Sequence, residues 1–273
     1  ITYNQSMPTL SVIIITGSKA HEILPTLKIA KKFADEIILV DTGATDNTVK
    51  LAKPYYTKLV KTSGTDFSAW RNLGAKYAHG DWLLYLDTDE RVPKALAGEI
   101  LATIKEPIHD AYTIPRHEIL LGKHLKHWPH PRVLRLIKKA SLKRWRGKLH
   151  EQPELIGTVG DLKNFMLHLT HKNLDENINK TLEWSRLEAQ MLYGSNHPPM
   201  KGWRFWRILL TEFYQRFFKQ GLRKDGVEGN LEVLYQMFSR FVTYARLWEL
   251  QRQPSLEKSY KNIDQKILDE WRQ

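Results

Sequence analysis

The chain contains no cysteine. That excludes a disulfide scaffold, thiolate metal sites and a cysteine nucleophile, and it fits a reducing compartment. It also lacks any run of about 18 uncharged apolar residues, the length a helix needs to cross a bilayer, so no transmembrane helix is expected. Nothing at the start resembles a signal peptide: Ile1 to Thr9 is polar, and because it has no initiator Met a segment ahead of Ile1 stays open. Acids are scarce. Against 42 Lys and Arg stand 30 Asp and Glu, a formal net charge of +12. From Arg116 to Lys148 there are eleven Lys or Arg and one acid, Glu118, with His117, His124, His127 and His130 interleaved. Such a segment suits a phosphorylated substrate, anionic lipid head groups or nucleic acid, or is a solvated basic face.

What the chain does hold is enough apolar material for a core. Of its 273 residues 42% are hydrophobic and 11% aromatic, which supports one large α/β domain with an appendage. The stretch from Gly80 to Pro93 organises the rest. A turn signal, Gly80 and Asp81, leads into an apolar run, Trp82 to Leu86, of the length of a buried central strand, and the run ends in Asp87, Thr88, Asp89 and Glu90. Ligands of open α/β sheets bind at that edge, and carboxylates at i and i+2 can converge on one hard divalent cation. A plain surface turn is the alternative, but three acids beside a buried run repel one another and call for a positive charge.

Upstream, Leu10-Ser-Val-Ile-Ile-Ile-Thr16 is a β-branched run that predicts a first strand, closed by Gly17 and Ser18. Helical spacing over 21–33 and a second run, Ile37 to Val40, ending in Asp41, complete a β-α-β unit. Asp46 is placed to cap a helix carrying Val49, Leu51 and Ala52, which Pro54 stops. Leu59-Val60 gives a short third strand. Asp66 to Ala78 reads as a helix with Phe67, Trp70, Leu73, Ala75 and Tyr77 partly buried and with Arg71 and Asn72 near the strand edges. The strand ending in Asp87 is then the fourth, in a mostly parallel sheet with right-handed crossovers. Thr16 and Asp41 at strand ends suit a base and ribose, and with the acids after the fourth strand they suggest a nucleotide diphosphate lying across the sheet edge.

Ser11-Val-Ile-Ile-Ile15, Phe33 to Thr48, Asp66-Phe-Ser-Ala-Trp-Arg-Asn72 and Gly80 to Arg91 occur in an order that resembles family 2 glycosyltransferases of the GT-A fold. Within them the chain is similar to bacterial lipopolysaccharide-core glucosyltransferases of the WaaE/KdtX type. The likeness continues through Ala111-Tyr-Thr-Ile-Pro-Arg116, Leu121-Gly122, Arg132-Val-Leu-Arg-Leu136, His150-Glu-Gln152, His168 and Tyr244 to Leu250. It implies a Rossmann-like GT-A domain over residues 1–172, with a donor half over 1–93 and an acceptor half over 94–172, and a helical extension over 173–273. It implies a nucleotide-diphosphate sugar donor, a UDP-sugar, and inverting transfer assisted by Mg2+ or Mn2+.

Carried over residue by residue, Thr16, Gly17, Asp41, Arg71, Asp87, Thr88, Asp89 and Arg135 fall at donor positions. Asp41 would meet the nucleoside, Asp87 the ribose or metal, and Asp89 the metal and diphosphate. Where the family usually has a Lys-Asn-Glu-Glu-like run, this chain has Gly17-Ser-Lys-Ala20. Inverting transfer needs a base for the acceptor hydroxyl while a cation neutralises the leaving diphosphate. Glu151 matches the family's position for that base, and Glu90 and Glu154 are reserve candidates. His168 is either a further metal ligand or a satisfied core histidine. Arg132 and Arg135 share one side of a short helix or straddle a turn, where each can grip a phosphate.

Beyond Asn173 an amphipathic helix is expected over 175–193, broken at Gly194 to Pro199. Trp203, Trp206, Leu209, Leu210, Phe213, Tyr214 and Phe217 then fall on one helical face, and Leu234, Met237, Phe238, Phe241, Val242, Ala245 and Trp248 on another. Both stripes either pack on protein or lie in a membrane interface. Pro254 to Gln273 is expected to be a short peripheral helix. The acceptor implied is a lipopolysaccharide-core or other lipid-linked glycan, the place the cytoplasmic face of the inner membrane as a peripheral protein, with no nucleic-acid partner. Two other readings stand beside this. Asp-x-Asp after a strand is also the nucleophile motif of haloacid-dehalogenase-like phosphatases, and a glycan- or lipid-binding protein of the same fold needs no turnover.

Overall fold

The structure, a computed structural model, describes residues 7–64, 66–147 and 151–272. The chain falls into two compact units, Ile1–Ile119 with His130–Thr170, and Leu120–Pro129 with His171–Gln273.

In the first unit the elements alternate as the sequence predicts: β1 (Leu10–Thr16), α1 (Ile23–Ala30), β2 (Glu36–Asp41), α2 (Thr48–Ala52), β3 (Lys58–Lys61), α3 (Phe67–Tyr77) and β4 (Trp82–Asp87). Then come β5 (Glu90–Arg91), α4 (Lys94–Lys105) and β6 (Ala111–Leu120). After β7 (Lys123–His124), which belongs to the second unit, follow β8 (Arg132–Lys138), β9 (Leu142–Arg146), β10 (Gln152–Leu155), β11 (Val159–Asp161) and β12 (Met166–Thr170). The strand order is β3-β2-β1-β4-β8-β6-β12-β5, with β11 beside β6. The first four strands are parallel, while β8 runs antiparallel to β4 and to β6.

Burial explains the composition of the central strands. Along β1, Val12 and Ile14 join one apolar layer with α1 and α4, while Ile13 joins the other with Trp70 of α3 and Trp145 of β9. A strand covered on both faces has no solvent side, hence the continuous apolar runs. Helix α3 lies so close to β1 that a Cβ on Gly74 would come within 2.4 Å of Ile13 Cγ2. Its N-terminus is fixed by Asp66, whose carboxylate accepts from the N–H groups of Ser68 and Ala69. The cap of α2 differs from expectation. Asn47 occupies the cap position without a side-chain bond, and Asp46 instead accepts from the Thr48 N–H at 2.9 Å. Phe67 and Tyr77 are each 37% exposed and lie outside the core that Trp70 enters.

Register brings the functional ends together. Thr16 pairs with Asp41 and Ile15 with Asp87, so the C-terminal ends of β1, β2 and β4 are level. The sheet then curls back, since β5 follows β4 almost directly yet pairs with β12, setting His168 opposite Glu90.

The second unit is helical: α5 (Leu174–Gly194), α6 (Gly202–Phe213), a π-helical turn (Tyr214–Gln220), a 3-10 turn (Leu222–Asp225), α7 (Gly226–Gln251) and α8 (Leu256–Glu270). Ala189, Met200 and Leu247 form one core here, and Leu120, Leu125, Leu222 and Val233 another. Segment Leu120–Pro129 is tied to the helices by Lys123 to Glu228 and His127 to Asp225, both at 2.9 Å. The two aromatic stripes are only partly covered. Met237 and Phe217 reach the second core, whereas Leu234, Phe238 and Trp248 stay exposed, and α7 buries Gly229, Glu232, Val233, Thr243 and Leu247 instead. Among the described residues no helix is long and apolar enough to cross a membrane.

Candidate active site

At the C-terminal edge of β4 two buried arginines grip one carboxylate. Arg71 Nη2 donates to Asp87 Oδ1 at 3.3 Å and Arg135 Nη2 donates to Asp87 Oδ2 at 2.6 Å. Arg71 comes from α3, where its guanidinium lies 5.0 Å from the Trp145 ring centre and 5.5 Å from that of Tyr85. On its other side Arg71 Nε donates to Glu151 Oε1 at 2.8 Å. Arg135, from β8, also donates to Glu90 Oε1 at 2.9 Å, and Glu90 accepts the Asp87 N–H at 3.0 Å.

The line of charges continues. Arg116 Nη1 lies 3.7 Å from Glu90 Oε1, and Arg116 Nε donates to Glu118 at 2.7 Å. Glu118 bonds His168 Nδ1 at 2.5 Å, and His168 Nε2 lies 3.4 Å from Asp89 Oδ2. Acids and bases thus alternate without a break from Glu151 through Arg71, Asp87, Arg135, Glu90, Arg116, Glu118 and His168 to Asp89. Desolvating an ion costs several kcal/mol, so buried charges persist only when each has partners. The alternation supplies them: Glu90 has no exposed surface and Arg71 only 3%.

The same pairing sets the protonation states. Burial works to raise the Asp87 carboxyl, but Arg135 and Arg71 outweigh it and hold Asp87 well below the usual carboxylate range. Burial likewise opposes ionisation of Glu118, and His168 and Arg116 override it downward. For His168 burial favours the neutral ring, yet hydrogen bonds to Asp89 and Glu118 push its pKa up to about 9. In the metal-free protein near neutral pH, His168 is a cation between two carboxylates.

The spacing suits a divalent metal once His168 has given up its Nε2 proton, since only the neutral ring can act as a ligand. Two cis ligands of an octahedral cation with bonds of ~2.1 Å stand about 3.0 Å apart, near the gap between Asp89 Oδ2 and His168 Nε2. Glu118 behind His168 Nδ1 is the carboxylate that commonly orients a metal-bound imidazole. Asp87, offered by its spacing as a ligand, has both oxygens engaged by arginine and fits a structural anchor better.

A family model, glycosyl transferase family 2, matches residues 11–159, more than half of the chain. The chain is a family 2 glycosyltransferase. Lipopolysaccharide core biosynthesis glycosyltransferase LpsC of Rhizobium meliloti is 26% identical over 229 residues, covering 78% of this chain and 83% of LpsC. A TPR repeat-containing protein of Synechococcus elongatus is 34% identical over 147 residues, 54% of this chain and 36% of that protein, so the chain spans about a third of that relative. Among solved structures, S. aureus TarS 1-349 in complex with UDP-GlcNAc is similar at a TM-score of 0.48 and 16% identity, over 93% of this chain and 92% of that one. Family membership removes the ground for the phosphatase reading.

In the transferase, Arg71, Asp87, Asp89, Arg135, Glu151 and His168 are brought together. Thr16 and Asp41 lie beside each other at the neighbouring strand ends, both buried; Asp41 Oδ1 accepts from the N–H groups of Gly43 at 3.1 Å and Ala44 at 2.7 Å, which shapes the loop. Thr16 donates to the Gly17 carbonyl at 3.0 Å. The Thr88 carbonyl accepts from Thr26 and from Arg91, each at 2.8 Å, an arrangement that pins the turn carrying Asp89. Of the reserve acids, Glu90 is locked inside the arginine network and Glu154 pairs with Arg144 and Arg146. His150 and Lys148 lie outside the described residues. Arg132 and Arg135 need correction: both sit on strand β8, where the pairing with β6 is irregular at Arg135, and they part company, Arg132 turning to Asp161 and Thr113 while Arg135 turns to Asp87 and Glu90. Sequence reasoning missed Glu118, Arg116 and Arg91. A signal for Glu118 existed, as the lone acid of the basic segment, in step with Tyr112, Ile114 and Leu120 on the buried face of β6.

Proposed function

We propose that this transferase moves a sugar, with inversion, from a UDP-sugar to a hydroxyl of a lipopolysaccharide-core or related cell-envelope glycan. The observation that carries the reading is the continuous charge line joining Glu151 to the Asp89–His168 pair at the edge where the parallel strands end. Asp89 and His168 are the residues that would hold Mg2+ or Mn2+, which when bound supplies positive charge to the departing diphosphate. Arg71 Nη1 and Arg135 Nε have no hydrogen-bond partner among the described residues, so the pair keeps donors beyond those spent on Asp87. Thr16 and Asp41 face the nucleoside.

Glu151 takes the proton. Arg71 fixes one carboxylate oxygen, and the other removes the proton of the acceptor hydroxyl as that oxygen attacks the anomeric carbon and the diphosphate leaves from the opposite face. The acceptor class is taken from the likeness to LpsC and to the sequence branch above. A lipid-linked acceptor of that kind places the enzyme at the cytoplasmic face of the inner membrane. The test is Glu151→Gln, which can still accept from Arg71 Nε. The expected result is a fall in kcat of ~10²-fold or more, the usual contribution of a general base, with donor KM changed little. An unchanged kcat would remove Glu151 from the role.

A further inference from the structure

Helix α6 carries two apolar faces. The inner one, Phe205 and Ile208, packs on the core of Ala189, Met200 and Leu247. The outer one is Trp203, Trp206, Leu210 and Tyr214, continued by Phe218 in the π-helical turn, and these are 56%, 70%, 62%, 59% and 50% exposed. Their spacing of three or four residues makes a single stripe. Five large apolar side chains in one exposed row are more than the scattered exposure every protein shows, and such a patch marks a contact surface.

The charge around the stripe says which kind. Over residues 201–224 there are seven bases, Lys201, Arg204, Arg207, Arg216, Lys219, Arg223 and Lys224, against one acid, Glu212. Glu212 is spent on Arg216 of the π-helical turn that follows. Arg204 and Arg207 lie 5.0 and 5.5 Å from the Trp203 ring centre, and Arg223 lies 5.4 Å from that of Phe218, so positive charge is held at the margin of the aromatic row. A second copy meeting this face would bring like charges together. An anionic bilayer would not: its head groups take the bases, and its acyl boundary takes the aromatic and leucine side chains.

We propose that α6 and the turn after it lie flat on an anionic phospholipid bilayer, with Trp203, Trp206, Leu210, Tyr214 and Phe218 inserted at the headgroup boundary. This deepens the membrane-face reading above and rests on it for its biological sense, whereas the surface itself is argued from α6 alone.

The experiment is flotation of the full chain with vesicles of phosphatidylcholine alone or with roughly 30% phosphatidylglycerol, at low and high salt. The wild type is compared with Trp206→Ser/Leu210→Ser, two exposed positions whose replacement leaves the core intact. The wild type is expected to float with the anionic vesicles only, less so at high salt, and the double variant to bind at least ~10-fold more weakly. The proposal is overturned if the wild type floats with neither vesicle, if the variant floats as well as the wild type, or if the substitutions change only the oligomeric state on gel filtration. Thermal stabilisation by UDP-sugar with Mn2+, measured on the same samples without vesicles, keeps the two readings apart. Intact nucleotide binding with no flotation sinks only the membrane surface, and flotation without nucleotide binding sinks only the donor site.

Discussion

His168 carries a consequence that can be read in a melting curve. Its folded pKa of about 9 exceeds the ordinary 6.5, because Asp89 and Glu118 favour the charged ring. The protonated ring therefore stabilises the metal-free fold fully below about pH 6.5, and that contribution, on the order of 3 kcal/mol, is lost as pH rises through about 9. The wild type should lose melting temperature between pH 7 and 10 more steeply than His168→Gln; equal slopes would contradict the charge assignment. At this scale Asp87 and Asp89 stand out in the sequence as acids closing an apolar run, and Glu151 through the family resemblance; the structure sets Glu151 and Asp87 on the same arginine, Arg71. Glu90 was visible only as one more acid of that run, because what defines it is Arg135, a buried partner from a distant strand that no local pattern encodes, and Glu118, though marked as the lone acid on a buried face, takes its place from His168 of β12.

Among elements, the β1, α3 and β4 packing depends on close backbone approach. A Cβ on Gly80 would stand 2.7 Å from Ser11 N and 3.1 Å from the Leu10 carbonyl carbon, atoms that cannot swing aside as a flexible side chain can. Gly80→Ala is expected to destabilise the first unit by about 1–3 kcal/mol, seen as a lower denaturation midpoint; an unchanged midpoint would show that the entry to β4 can shift. Strands β1, β2 and β4 were legible because burial on both faces leaves only apolar residues. Strand β8 was not. Its bases at 132, 135 and 138 recur every three residues and imitate a helix, and Arg135 is buried only because Asp87 and Glu90 neutralise it. In the helical part, periodicity located the stripe on α6 but carried no information on what covers it, and its outer half is left in solvent.

On the scale of the whole molecule, Leu120–Pro129 leaves the first unit and packs with the C-terminal helices, a partition that no shift of composition marks. The candidate site lies entirely within the first unit, so the central proposal concerns one compact body: Asp89 and His168 would hold a divalent cation that completes a nucleoside-diphosphate site. The measurement that tests it most directly is thermal stability with UDP and UDP-sugars, each with and without Mn2+, on the wild type and Asp89→Ala. A ligand bound only by the native state stabilises it by mass action, by about 2.7 kcal/mol at a hundredfold excess over Kd. The account predicts a rise in melting temperature that requires nucleotide and metal together and disappears in Asp89→Ala. A rise that is independent of metal, or that survives in the variant, would contradict it.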